Sequence, residues 1–324
     1  MKYIEIDGSL GEGGGQMLRT TLSLSAILGK PFKMSNIRIK RPKPGLKPQH
    51  LMCINAVKQI CNANVQGAEI DSKEIIFEPN EIKSRDYEFL IETAGSVSLV
   101  IQTILPILIF AKEKSTIHLT GGTHVPFAPS VSYLNNVFLP AIRKMGVKAE
   151  IDLKKYGFYP KGGGEVYIKV FPTCDLKAVE LLELNDEKPK VEIIICNLPE
   201  HILERELKII KKFFSDIEIK KQGALSPGNI ITIYKSDFGV DSIAKLGVPA
   251  EKIAEKACEE FIKYQNYPID KHLTDQLLVY MALCKEKSVI QAPEITQHTK
   301  TNIEVIQKFL GNIFEFNGNN IIRK

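Results

Sequence analysis

The chain has no apolar run of the roughly 20 residues that a membrane span requires. Its longest candidate, from Leu99 to Ala111, is too short and is interrupted by Gln102 and Pro106. The opening residues, MKYIEID, read as a strand and are too acidic and too weakly apolar for a signal peptide, so a cytoplasmic protein is expected. Cysteine is sparse and unpatterned. Cys53, Cys61, Cys174, Cys196, Cys258 and Cys284 include no C-x-x-C pair, which argues against zinc and against a disulfide framework. Small buried apolar groups in a reducing compartment are the simpler reading. Two phosphate-binding motifs are also missing. A Walker A loop needs Lys-Ser/Thr after its last glycine, where Gln16-Met17 stands, and the dinucleotide fingerprint G-x-G-x-x-G fails at Gln16.

What is present is the composition of a globular protein, 44% hydrophobic and 25% charged over 324 residues. That length suggests about two domains. The net charge of +5 says little, but its distribution says more. RIKRPKPGLKP, from Arg38 to Pro48, holds five Lys/Arg and no acid, with three prolines and a glycine to stiffen it into a loop. Such a run is commonly a solvated face. Two arginines three residues apart beside a glycine-rich segment are also a phosphate signal, because the planar guanidinium donates two parallel hydrogen bonds.

One pattern recurs three times: an apolar helix, a Lys-containing turn, a short strand, a loop, a second helix and a further strand. The copies start near Gln16, Ser96 and Thr274. Helix starts are expected at Thr93-Ala94-Gly95-Ser96 and at Thr274-Asp275, where the exposed N–H groups of a first turn favour anions. In the first copy four glycines, Gly11 and Gly13 to Gly15, occupy that place and let a phosphate approach the backbone. Between the second and third copies the order changes. KVEIIIC reads as a strand, PEHILERELKIIKKFF as a helix, IEIKKQGALSPGNIITIY as a hairpin and PAEKIAEKACEEFIKYQ as a helix. The expected fold class is α/β (α+β): three repeated units of two helices and a four-stranded sheet, with a small inserted α/β domain. The main domain is discontinuous, 1–182 plus 268–324, and 183–267 is the insert.

If the copies are equivalent, their strand-to-helix loops lie in comparable places. The first carries Arg38, Arg41, Lys43, Lys47, Gln49 and His50; the second carries His124 and the rigid Pro126 and Pro129; the third carries His298, Thr301 and Asn302. Glu12, an acid among glycines at a helix start, serves either the helix dipole or a Mg²⁺ ion shared with substrate phosphates, and spacing does not choose between them. Capping or stacking would account for His50 and His272, and His118 and His201 look like surface or structural groups. Spacing does not select His298 either.

Several segments together resemble the RNA 3′-terminal phosphate cyclases: IDGSLGEGGGQMLR, RPKPGLKPQH, ETAGSVSLVIQT, GGTHVPFAPS, GFYPKGGGE, LTDQLLVYMAL and HTKTN. They stand in family order across nearly the whole chain, and the inserted unit matches least. The resemblance implies the fold described above and an ATP-dependent conversion of an RNA 3′-phosphate into a 2′,3′-cyclic phosphate. It implies His298 as the nucleophile, with Glu12, Gln16, Arg19, Arg38, Arg41 and Gln49 serving phosphate and a divalent metal, Mg²⁺ or Mn²⁺. It implies Gln102, Pro129, Asp275 and Gln276 around the adenylate. His272 stands where some members carry tyrosine, so base stacking there is open. The implied partners are RNA 3′-phosphate ends and ATP, with no membrane. Two rival readings are a non-catalytic cyclase-like RNA-binding assembly factor, whose known forms lack the histidine, and an enolpyruvyl transferase with related helix-sheet repeats.

Overall fold

The computed structural model describes residues 2–11 and 13–324. Glu12 therefore lies outside the described residues. In the first unit the strands β1 (Ile4–Asp7), β2 (Phe32–Ser35), β3 (Asn64–Gln66) and β4 (Ile75–Glu78) form one sheet in the order β1-β2-β4-β3. Helices α1 (Gly15–Leu28) and α2 (Pro48–Cys61) follow β1 and β2. The pairing β1–β2 is parallel and the other two are antiparallel.

The second unit repeats this order. Its strands are β5 (Tyr87–Leu90), β6 (Ser115–Gly121), β7 (Lys148–Lys155) and β8 (Gly164–Phe171), arranged β5-β6-β8-β7. Helix α3 (Val97–Leu108) follows β5, and α4 (residues 131–144) follows β6. Helix α4 is π-helical over Leu134–Phe138, and Pro140, which lacks an N–H to donate, falls just beyond that stretch.

The third unit opens with β9 (Glu180–Leu181) and then departs into the inserted sheet. That sheet comprises β10 (Lys190–Cys196), α5 (Glu200–Ile210), β11 (Asp216–Gln222), β12 (Gly228–Lys235), β13 (Phe238–Ile243) and α6 (Ala250–Tyr264). The third unit then resumes with α7 (Lys271–Leu283), β14 (Ser288–Gln291), α8 (Gln297–Leu310), β15 (Phe314–Asn317) and β16 (Asn320–Arg323). Its sheet order, β15-β16-β14-β9, matches the other two units, with β9 parallel to β14. The insert thus replaces the loop that the glycine segment occupies in the first unit.

Two local expectations are corrected. The stretch from Ile217 to Tyr234 is not a hairpin: β11 pairs in parallel with β10, and β12 pairs with β10 from the other side. Burial explains this. Strand β10 is buried from Val191 to Cys196 and belongs in the centre, whereas β11 is largely exposed and suits an edge. Helix α7 starts earlier than Thr274, because the Asp270 carboxylate caps it by accepting from the N–H groups of His272 and Leu273.

One apolar core runs through the three units, from Ile6, Phe32 and Phe77 through Ile104 and Tyr133 to Leu277 and Ile306. The insert has its own core around Ile193, Ile231, Phe238 and Phe261. Helix α1 packs against α3 and α8, and hydrogen bonds tie it to both. The Ser23 hydroxyl donates to the carbonyl of Thr103 at 2.8 Å, and the Thr20 hydroxyl donates to Asn302 Oδ1 at 2.7 Å. The first of these bonds ties the first unit to the second, and the other fixes the first unit against the third near the start of α8. The cysteines are all free, and Cys174 departs from the expected burial by being exposed. Among the described residues no helix is long and apolar enough to cross a membrane.

Candidate active site

The glycine segment forms a ledge because side chains from α1, α2, α8 and the basic loop lie directly against its backbone. Gly11 and Gly13 have φ of +52° and +58°, a region that L side chains enter only with strain. A Cβ at Gly11 would collide with Thr301 Oγ1. One at Gly14 would stand 3.5 Å from Arg41 Nη2 and 3.6 Å from His298 Cε1. One at Gly15 would stand 2.5 Å from His50 Nε2 and 3.1 Å from Arg19 Nη1. Helix α1 begins at Gly15 with no side-chain cap, so its first-turn N–H groups face the same ledge.

His298 is the second residue of α8, whose N-cap is Thr296. Its Nδ1 lies 2.8 Å from Gln16 Oε1. An amide oxygen only accepts, so this contact puts the proton on Nδ1 and the lone pair on Nε2. Thr299 donates its hydroxyl to Asp275 Oδ1 at 2.6 Å, and Asn302 donates to the Asp275 carbonyl at 3.0 Å. The first turn of α8 is therefore held by α1 on one side and α7 on the other.

The basic loop faces the ledge. Arg38 has a left-handed φ of +56° and donates to the carbonyl of Lys43 at 3.4 Å, and the N–H of Arg41 bonds back to the Arg38 carbonyl at 3.0 Å. Leu46 is fully buried and anchors the loop, and Lys47 is paired with Asp71. Burial, followed by the like charge of Arg41, draws the Arg38 guanidinium below its ordinary range. Burial does the same to Arg19. Cations crowded together and partly stripped of water favour a bound anion, which relieves both penalties.

His50 does more than begin a helix. Its Nδ1 accepts from the Lys47 N–H at 3.0 Å as part of a capping box. Burial, then the charges of Arg19, Arg38 and Lys47, push its pKa down to about 3. The ring is therefore neutral at ordinary pH, with its proton on Nε2, the atom that meets Gly15. Sequence spacing showed only the cap, because the sources of this shift arrive from three separate places in the chain.

The other loop histidine does not join this group. His124 is fully buried between the rings of Tyr156 and Phe158, with Thr123 and Ser132 on its nitrogens, and burial lowers its pKa to about 3. Its role is to pack the second unit. Pro129 immediately precedes Ser130, the N-cap of α4, whose backbone N–H donates to Asp241 Oδ2 at 2.9 Å. Burial raises the Asp241 carboxyl, and the nearby His272 imidazole opposes that rise. Pro129, His272 and the insert's strand β13 therefore meet at one place. Asp275 and Gln276 lie one turn further along α7, and Gln102 lies on α3 beside Thr103.

Buried polar atoms with no protein partner fall on several of these residues: Arg38 Nε, Gln49 Nε2, Gln102 Nε2 and Gln276 Oε1. Each such group costs about 1–3 kcal/mol unless something else bonds to it. The described residues contain no group of three or more His, Cys, Asp or Glu able to hold a metal.

Comparison with known proteins agrees along the chain. The family model described as "RNA 3'-terminal phosphate cyclase" matches residues 10–316. A Pyrococcus furiosus protein named RNA 3′-terminal phosphate cyclase is 43% identical, over 97% of this chain and 95% of its own. One of the same name from Archaeoglobus fulgidus is 40% identical over 99% of this chain and 100% of its own. A third, from Saccharolobus islandicus, is 42% identical over 95% and 94%.

Proposed function

Because the chain belongs to the RNA 3′-terminal phosphate cyclase family, we propose that it converts an RNA 3′-phosphate into a 2′,3′-cyclic phosphate, using ATP and carrying AMP on His298. The observation that carries this reading is the Gln16–His298 contact on the glycine ledge. It orients an imidazole with its lone pair on Nε2 beside a cationic, amide-rich anion site.

A 3′-phosphate has no good leaving group, so the neighbouring 2′-hydroxyl cannot close on it directly. In the first step Nε2 attacks the α-phosphorus of ATP, and the bond to pyrophosphate breaks. Gln16 holds the Nδ1 proton as positive charge develops on the ring. In the second step an oxygen of the RNA 3′-phosphate attacks the same phosphorus, the P–N bond breaks, and the imidazole is released neutral. In the third step the 2′-hydroxyl closes on the RNA phosphorus, losing its proton, and AMP departs. The hydroxyl is already adjacent, which lowers that barrier. Arg38, Arg41 and Arg19 offset the negative charge that moves among these oxygens.

The orphaned polar atoms fit this use. Arg38 and Gln49 have donors to give a phosphate, while the donor on Gln102 and the acceptor on Gln276 suit the mixed edge of a base or ribose. A divalent ion, Mg²⁺ or Mn²⁺, would supply further charge neutralisation, shared between phosphates and Glu12. The described residues form no cage for it, and no step above runs through it.

The test uses α-labelled ATP with a divalent metal. The expected product is an acid-labile, base-stable adenylate that 3′-phosphorylated RNA consumes and that His298→Asn abolishes. Labelling that survives His298→Asn unchanged would remove the histidine from this role.

A further inference from the structure

Asp270 stands where the chain leaves the insert: α6 ends at Tyr264, and α7 begins at Lys271. Its carboxylate is buried and accepts hydrogen bonds from three parts of the fold. Oδ1 takes the N–H groups of His272 at 2.8 Å and Leu273 at 2.9 Å, in the first turn of α7. Oδ2 takes the Tyr133 hydroxyl of the second unit at 2.7 Å and the Gly239 N–H of the insert's β13 at 3.1 Å. An ionised carboxylate offers about four lone-pair sites, so this one is filled. Capping α7 needs only the bonds on Oδ1. Those on Oδ2 tie the cap to the second unit and to the insert.

The parts joined here are packed closely. Strand β13 lies against the π-helical stretch of α4, where a Cβ at Gly239 would stand 2.5 Å from Val137 Cγ2. Phe138, in the same stretch, meets the Tyr280 ring of α7 edge-on at 5.9 Å. On the insert's side, Lys235 Nζ donates to the carbonyls of Asn185 at 3.2 Å and Gln265 at 3.1 Å, which holds together the segments entering and leaving the insert. From Asp270 the route to the reactive ring is short. Further along α7, the Asp275 carboxylate accepts from the Thr299 hydroxyl at 2.6 Å, and its carbonyl accepts from Asn302 at 3.0 Å. Thr299 directly follows His298. We propose that Asp270 is a positioning residue through which the inserted domain sets the placement of α7, and with it the Asp275–Thr299 bond that steadies the turn carrying His298.

The effect on rate rests on the adenylation reading above; the placement of α7 does not. Asp270→Ser keeps a capping oxygen and withdraws the acceptor from Tyr133 and Gly239. Tyr133→Phe removes one bond and leaves the cap whole. Ile193→Val, in the insert's own core, controls for lost stability. Amide hydrogen exchange of residues 299–303 reads how firmly the first turn of α8 is held. It should quicken about tenfold in Asp270→Ser and about threefold in Tyr133→Phe, and stay unchanged in the control. Single-turnover adenylate formation at saturating ATP should slow by similar factors, again with the control unmoved. In Asp270→Ser/Thr299→Val the rate should be no lower than in the slower single variant, because both changes break one route. Losses that multiply would overturn the assignment, since the two residues would then act independently. Slowed adenylation with unaltered exchange at 299–303 would overturn it too, as would variants that match the control. Where Asp270→Ser fails to fold, Tyr133→Phe decides alone. Faster exchange in a protein that ATP never labels would support the link through Asp270 and count against the adenylation chemistry instead.

Discussion

Gln16 and His298 are 282 positions apart in the chain, yet the amide oxygen of one stands 2.8 Å from Nδ1 of the other. The bond joins the first turns of α1 and α8. It sets the tautomer of the ring and fixes its rotation, so its loss should affect chemistry more than folding. Gln16→Leu keeps the volume and removes the acceptor. Single-turnover formation of the adenylate should slow by about 10²-fold, a size typical for an orienting partner of a reactive histidine. Gln16→Glu keeps an acceptor and adds charge, so it should retain more activity and shift the pH dependence of labelling upward. Equal rates in all three proteins would mean that the contact orients nothing.

The ledge gives a second expectation, built on two glycines with similar backbones. Gly11 and Gly29 have φ of +52° and +62°, but a Cβ at Gly11 meets Thr301 while one at Gly29 meets nothing within 4 Å. Gly29→Ala should therefore cost only the backbone strain, about 1 kcal/mol. Gly11→Ala should cost that and more, since it must displace the first turn of α8 and with it His298. Thermal melts measure the first difference and adenylate labelling the second. Comparable melting temperatures and full labelling in both would show that the approach of α8 to the ledge is loose.

These two regions show what a single sequence reveals. The repeat was legible because each unit must bury the same helix faces on the same sheet, which leaves a periodic apolar record from Met17 to Phe309. The pairing of β11 was not. It depends on β10 being buried on both faces, and the glycine-containing turn between β11 and β12 carries a hairpin signal of its own. The start of α7 was misplaced because Thr274-Asp275, one turn beyond Asp270, offers capping side chains of its own, and only the fold shows that the Asp270 carboxylate takes the cap. The motifs selected His298, whereas spacing could not, since its partners come from α1 and, through Thr299, from α7.

Arg38 tests whether the cationic loop binds by charge alone. Its Nε is buried without a protein partner, and its backbone is left-handed. Arg38→Lys keeps the charge and loses the planar fork. If phosphate is gripped through two parallel donors, kcat/KM for 3′-phosphorylated RNA should fall by about tenfold or more, with melting temperature unchanged. A lysine variant of full activity would reduce Arg38 to a source of positive field.

The insert supplies a prediction about pH. Glu206 on α5 is fully buried and accepts from Asn229 Nδ2 at 2.9 Å, while Glu206 Oε1 and Asn229 Oδ1 have no protein partner. Burial raises the Glu206 carboxyl from 4.5 to about 7, with the Asn229 bond opposing. A protonated carboxyl can donate to the orphaned amide oxygen, and an ionised one cannot. Because the folded value lies above the unfolded one, unfolding releases a proton between pH 4.5 and 7. The group's contribution to stability is thus fully present below pH 4.5 and is lost as pH rises through 7, a swing of about 3 kcal/mol at most. Glu206→Gln supplies a permanent donor and acceptor of nearly the same shape. It should melt with the parent protein near pH 4.5 and several degrees above it at pH 8. A difference in melting temperature that stays constant across that range would show that Glu206 does not exchange its proton on unfolding.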